Sequence, residues 1–227
     1  MPPLSSDTTL PSRPQGTYYG DTVGGTCTYG NTPPAYTWPR ASDVTLVALN
    51  SPQFLGSVTC GMCLKVTGSG LGDKDSTIEG EYLVFTKDLC PECHPGDIDF
   101  ALKGDGRWDI TIQAVQCPVG DTIIQYSFQG SNSWYIKLQV RNARIPITSL
   151  EITTESGDVI TPTHTADNYW TANSPQGNFQ GELSVKMTAA NGEVLHDVVP
   201  RVETDNNVVM DGLKRVQVAL DSTLPMP

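Results

Sequence analysis

The stretch FTKDLCPECHPGDIDF, residues 85–100, decides how the rest of the chain is read. It places two cysteines, a histidine, a glutamate and three aspartates (Asp88, Asp97 and Asp99) between apolar runs. The run before it, EYLVF, has the character of a strand. The run after it, IDFALKGDGRWDITIQAV, returns through a turn into another strand. Reactive and ligand-gripping side chains concentrate on loops held by rigid strands, so the chemistry of this chain is expected here.

Outward from that stretch the pattern stays β-like. CGMCLKVT (60–67) alternates, with Met62, Leu64 and Val66 on one face. GSGLGDKDST is a hairpin turn, residues 78–86 are the returning strand, and Trp108 to Val115 alternates again. The chain has 21 glycines and 17 prolines among 227 residues, with short apolar runs between turn residues, which favours an all-β fold. No long segment carries apolar residues at i, i+3, i+4 and i+7. Short helices are expected only at residues 41–50 and 98–103.

Three sections follow from composition. Residues 1–15 are poor in apolar side chains and rich in Pro, Ser and Thr, and are expected to be a disordered tail. Residues 16–119 contain every cysteine. Residues 120–227 contain none and show strands at intervals of about ten residues, as in a β-sandwich. The expected strands there are IIQYSF, WYIKLQVRN, ITSLEITT, VITPT, NYWTA, ELSVKMTA, VLHDVV and KRVQVAL. No flexible linker separates the halves, so a fixed packing between them is expected.

A formal charge of −11 disfavours nucleic acid and anionic membranes as partners and leaves a neutral polymer unaffected. No transmembrane run and no apolar leader is present, so an export signal is expected to have been removed or replaced. Six cysteines confined to one half suggest a disulfide framework formed in an oxidising compartment. The spacing of CGMC and CPEC also suits zinc. A redox CxxC wants a βαβ setting that the pattern does not offer. Spacing alone leaves about 15 disulfide pairings open.

The ordered set GTYYG, GGTCTYGN, CGMCLKV, KDLCPE…GDIDFA, QAVQCPVGD and SNSWYIKLQVRN resembles the expansins, in particular microbial expansins of the cysteine-bearing, plant-like kind. The resemblance covers residues 16–220. It implies a six-stranded double-psi β-barrel, like that of family 45 glycoside hydrolases, followed by an immunoglobulin-like β-sandwich. It implies a secreted, monomeric protein without metal or cofactor that binds cellulose and related plant wall glucans. Loosening of the wall is then expected to proceed without hydrolysis. It further implies the pairs Cys27–Cys60, Cys63–Cys117 and Cys90–Cys93. A glucan hydrolase or lytic transglycosylase-like enzyme using Asp99 as acid, and a barwin-like binding or defence module, are the rival readings.

By the same resemblance Asp99, Asp88 and Thr17 are groove residues, with Tyr18 and Tyr19 beside them. Asp97 reads as a turn residue, and His94 as a solvent-facing one. Cys90 stands where bacterial expansins carry a tyrosine, so a groove aromatic must come from Tyr18, Tyr19, Tyr29 or Trp108. Inverting hydrolysis needs a second carboxylate, and only Asp21 lies near the opening strand. In the second half Trp134, Tyr135 and Tyr169 are the expected sugar platform, Tyr169 replacing an aromatic at the position of Asp167. Strand parity points Trp134 inward with Ile136 and Leu138, and Tyr135 outward with Lys137 and Gln139. By the same count Trp170 belongs to the core.

Overall fold

Strand β1 (Gln15–Tyr18) is parallel to β5 (Ile98–Phe100), and β2 (Val44–Asn50) is parallel to β4 (Glu79–Cys90). With β3 (Cys63–Gly72) and β6 (Trp108–Val115) they close a barrel in the order β1-β5-β2-β4-β3-β6. This is a computed structural model that describes residues 13–22, 24–29, 44–206 and 208–226. Side chains that alternate inward along these strands fill the barrel. Val66, Val84, Ile98 and Phe100 are each no more than 1% exposed. Fully burying one such side chain contributes about 1.5–3 kcal/mol.

Neither expected helix forms among the described residues: 44–50 and 98–100 are strands, and 101–103 are bends. Residues 41–43 lie outside the described residues, and Val44–Asn50 is β2, rich in β-branched residues and paired on both edges. Ile98–Phe100 is β5, buried along its length. Helix α1 (Ser51–Phe54) instead follows β2, where the Asn50 side chain accepts from Gln53 N at 3.1 Å and Pro52 sits in the first turn. Most of the expected tail, residues 1–12, lies outside the described residues. Its last three residues are part of the barrel: Gln15 opens β1, and the Pro14 carbonyl accepts from Ile110 N at 3.0 Å. Strand β4 continues past Thr86 to Cys90, so Asp88 rides on a strand rather than a loop.

The second half is a two-sheet sandwich. Its strands are β7 (Gln125–Phe128), β8 (Tyr135–Arg141), β9 (Ile147–Thr153), β10 (Val159–Ile160), β11 (Thr163–His164), β12 (Trp170–Asn173), β13 (Leu183–Ala189), β14 (Val194–Val199) and β15 (Val209–Asp211). The sheets run β10-β9-β13-β14 and β11-β12-β8-β7-β15, and the core lies between them, built on Tyr126, Phe128, Ile136, Leu138 and Met187. The expected VITPT strand is divided between the sheets, β10 in one and β11 in the other, with Pro162 at the crossing, where its missing N–H costs nothing. KRVQVAL forms no strand. Its place in the sheet is taken by β15, and Val216 only accepts one bond from Ile124 N.

The barrel and the sandwich meet along a hydrogen-bonded seam. The fully buried Gln139 donates from Nε2 to the Cys27 carbonyl and to Thr28 Oγ1, both at 3.0 Å. Asn168 Nδ2 reaches the same carbonyl at 3.2 Å. Thr28 and Ser57 hydroxyls donate to the carbonyls of Asp167 and Thr165. Arg141 lies over the Tyr29 ring at 5.1 Å. The disulfides are Cys27–Cys60, Cys63–Cys117 and Cys90–Cys93.

Candidate functional site

Register builds the site. Thr17 on β1 is the Cα partner of Asp99 on β5, Asp99 is the partner of Ala48 on β2, and Ala48 is the partner of Asp88 on β4. Four adjacent strands thus present Thr17, Asp99, Ala48 and Asp88 in one row. Their sequence neighbours Gly16, Ile98 and Phe100 are buried, so by alternation the row lies on the outer face of the barrel. Neighbouring strands lie about 4.8 Å apart, so two strand spacings separate the acids. Ala48, 2% exposed, is the small side chain between them.

Asp88 reaches this row through a bulge. Val47 pairs with Thr86 and Ala48 with Asp88, so Lys87 is the extra residue. Lys87 is 2% exposed and donates from Nζ to the Thr22 carbonyl at 2.6 Å. Burial lowers its pKa, against the pull of Asp88 and Asp21. Asp88 Oδ1 accepts from Thr26 N at 2.7 Å, Thr26 Oγ1 at 2.8 Å and Leu89 N at 2.9 Å. This needs the 24–27 loop pressed onto β4. Gly25 permits it: at φ +138 a Cβ there would come within 2.6 Å of the Lys87 carbonyl oxygen.

Asp99 is 9% exposed and accepts from Thr17 Oγ1 at 2.6 Å. Burial raises its pKa; the Thr17 bond lowers it, the charge of Glu92 raises it and Arg107 lowers it. The net shift is upward, so this carboxyl keeps its proton longer than an ordinary aspartate. Tyr19 stands beside both acids. Its hydroxyl is buried with no hydrogen bond of ordinary geometry, and burial followed by the Asp88 charge, with a smaller push from Asp99, raises its pKa far above the usual phenol value against a contribution from Thr22. The site therefore offers one strongly anchored carboxylate, one carboxyl inclined to stay protonated, and a phenol that stays a donor.

Of the four groove aromatics considered from sequence, Tyr19 alone lies with the acids. Tyr18 points the other way, packs on Phe100 at 6.0 Å and donates to the Ser76 carbonyl, so it does not line the acid row. Tyr29 packs on Phe85 in the seam, under Arg141, and Trp108 is 4% exposed in the barrel core. Asp97 is a structural acceptor, taking Gln15 N at 2.8 Å and His94 N at 3.2 Å. His94 and Asp21 are exposed. Glu92, between the two cysteines of CPEC, is a neighbour of Asp99 that sequence reasoning passed over; its only signal was one more acid in that dense stretch. Ala48 and Thr26 carried no signal of their own, because their roles come from register and loop closure.

On the sandwich, Trp134 is 59% exposed, against the inward direction that parity suggests. Strand β8 begins only at Tyr135, and residues 133–134 form a bend, so parity does not extend back to Trp134. The bend is held by Asn132 Oδ1, which accepts from both Trp134 N and Tyr135 N. The Trp134 ring rests on Gly177, where a Cβ would stand 3.1 Å from Cε2. Tyr135 is half-buried at the head of the outward face.

Tyr169 corrects the expected platform: it is 1% exposed and cannot stack on a sugar. Its parity is right, since Trp170 faces the sandwich core and Tyr169 the outward side with Lys137. That side is covered there by the 24–29 segment of the barrel. Lys137 Nζ lies 4.5 Å from the Tyr169 ring centroid and pairs with Asp167 Oδ2 at 2.6 Å. Burial pushes the Asp167 carboxyl up, but the bonds from Lys137 and Thr165 outweigh it and hold it below the ordinary range.

No protein-family model matches the chain. It is 24% identical over 176 residues to Expansin-YoaJ of Bacillus subtilis strain 168, a match covering 72% of this chain and 70% of that protein. The structure of the apo expansin of Clavibacter michiganensis superposes with a TM-score of 0.68 at 28% identity, covering 88% of this chain and 94% of that one. A mutant of that expansin in complex with cellohexaose superposes with a TM-score of 0.69 at 27% identity, covering 90% of this chain and 96% of that one. In sequence and in fold, then, the chain resembles bacterial expansins along most of its length.

Proposed function

We propose that this expansin-like chain is an extracellular protein that grips cellulose and related wall glucans and loosens their contacts without cutting them. The observation that carries the proposal is the Thr17–Asp99–Ala48–Asp88 row: two acids two strands apart with Ala48 between them, on a chain whose structural neighbour is a mutant expansin in complex with cellohexaose. The barrel, residues 16–119, would hold a glucan along this row. The sandwich, residues 120–227, would supply Trp134 and Tyr135 as a stacking surface that needs no charge, which suits a net charge of −11. Three disulfides and an acidic surface support life outside the cell.

The committed groups support a reading without cutting. Asp88 Oδ1 is occupied by three donors, and Asp21 lies with Lys87 rather than with Asp99. Among the described residues, Glu92 is the one exposed carboxylate whose charge reaches Asp99, and it makes hydrolysis the second reading. Extension of heat-killed plant wall strips separates the two. Creep without release of reducing sugar, lost in Asp99→Asn, supports loosening. Steady sugar release from soluble β-glucan, abolished by Asp99→Asn and by Glu92→Gln, overturns it in favour of a glucanase.

A further inference from the structure

We propose that the Cys90–Cys93 bridge is a redox-active disulfide that exchanges with small soluble thiols, with the Asp99 carboxyl as its proton donor. The sulfur atoms of Cys90 and Cys93 and a carboxylate oxygen of Asp99 all lie within 4.8 Å of one another. Cys93 is partly exposed while Cys90 is 4% exposed, so attack from solvent falls on Cys93. The other two bridges differ. Cys27, Cys60, Cys63 and Cys117 are all buried, at 0 to 5% exposure, with no comparable carboxyl beside them among the described residues.

The bridge also contributes least to holding the fold. It spans three positions in sequence, against 33 and 54 for the others, and the entropy removed from the unfolded chain grows with loop length. The segment after it is anchored without sulfur. Asp97 accepts from Gln15 N and His94 N, the Asn50 side chain donates to the Asp97 carbonyl, and Gly96 N donates to Gln53 Oε1. Opening the bridge leaves those bonds in place.

The chemistry balances with a monothiol such as glutathione as co-reactant. Its thiolate attacks Cys93 Sγ. The new sulfur–sulfur bond forms as the Cys90–Cys93 bond breaks, and the electron pair leaves on Cys90 Sγ. That sulfur takes the proton of the Asp99 carboxyl, which solvent then restores. A second thiolate attacks the outer sulfur of the mixed disulfide and releases Cys93. Two thiols are oxidised to one disulfide, and the protein bridge is reduced to two thiols. Protonating the leaving thiolate is general acid catalysis, and a better leaving group speeds exchange. The charged and titratable groups around Asp99 are Glu92 from the CPEC turn, Arg107 ahead of β6, Tyr19 after β1 and Asp88 two strands away beyond Ala48.

The test uses the intact folded protein in glutathione buffers, with free thiols trapped by alkylation and located by peptide mass mapping. The expected result is that Cys90 and Cys93 are alkylated together, at least tenfold faster than the other four cysteines. The rate per thiolate should fall as pH rises through the Asp99 titration. In Asp99→Asn it should be flat and lower by about 10²-fold at the acid end, the usual size of a general acid effect. In Glu92→Gln the fall should move to lower pH, because that charge raises Asp99; this arm serves if Asp99→Asn does not fold. Reduction of all three bridges together, or an unchanged pH profile in both variants, overturns the proposal. No glucan is present, so the result is independent of the wall-loosening reading.

Discussion

Thr17 Oγ1 donates to Asp99 Oδ1 at 2.6 Å, across a parallel strand pair in which the two residues are Cα partners. A donor aimed at a carboxylate favours its charged form. Thr17→Val removes the bond and keeps the β-branched shape, so the Asp99 pKa should rise further. A pH titration of the carboxyl carbon by NMR reads this directly. An unchanged pKa in Thr17→Val would mean that the threonine serves only to fill space.

The same acid sets a pH dependence of stability. Burial raises Asp99 above its unfolded value of about 3.9. The stability it contributes is therefore complete below that unfolded value and is lost as pH rises through the folded one. Asp99→Asn carries no such loss. Its melting temperature should exceed that of the wild type at pH 7 and the difference should shrink toward pH 3. Each unit of pKa shift corresponds to about 1.4 kcal/mol, or a few degrees for a chain of this size. A constant difference across pH would refute the buried-acid account.

Trp134 is exposed and held by a bend, so Trp134→Ala should leave melting nearly unchanged. Binding to microcrystalline cellulose should weaken about tenfold, equal to about 1.4 kcal/mol. Equal retention of wild type and variant in a pull-down would remove Trp134 from the binding surface.

Tyr169 should behave in the opposite way. Truncating a buried aromatic to alanine costs about 3–5 kcal/mol, so Tyr169→Ala should melt well below the wild type. Tyr169→Phe keeps the ring and should bind cellulose as the wild type does. Weaker binding by Tyr169→Phe with unchanged melting would return this residue to the platform.

Period-two alternation at CGMCLKVT and WYIKLQVRN made the all-β class legible, and so did the turn residues between strands. The acids were legible through KDLC and GDIDF. What stayed hidden was long-range. Nothing local says that Ala48 lies between Asp99 and Asp88, because that depends on β2 pairing with two partners and on a bulge at Lys87. Residues 41–50 and 98–103 misled because short apolar runs suit a helix or a buried strand equally, and only pairing decides. Tyr169 misled for a different reason. Its outward side was assigned properly, but outward on one sheet can still be inward for the molecule when another body covers that sheet.

That covering has a mechanical consequence. Gln139 and Asn168 share the Cys27 carbonyl, and Cys27 is itself tied to Cys60, so the seam is a weld rather than a hinge. From Gln139 to Tyr135 the strand runs four residues, about 13 Å at the usual rise. Under the wall-loosening reading, we expect the acid row and the stacking surface to keep a fixed relation while a polymer is bound. A strand of glucan that touches both would then have to adapt to the protein, and its neighbours in the wall would lose part of their hold on it.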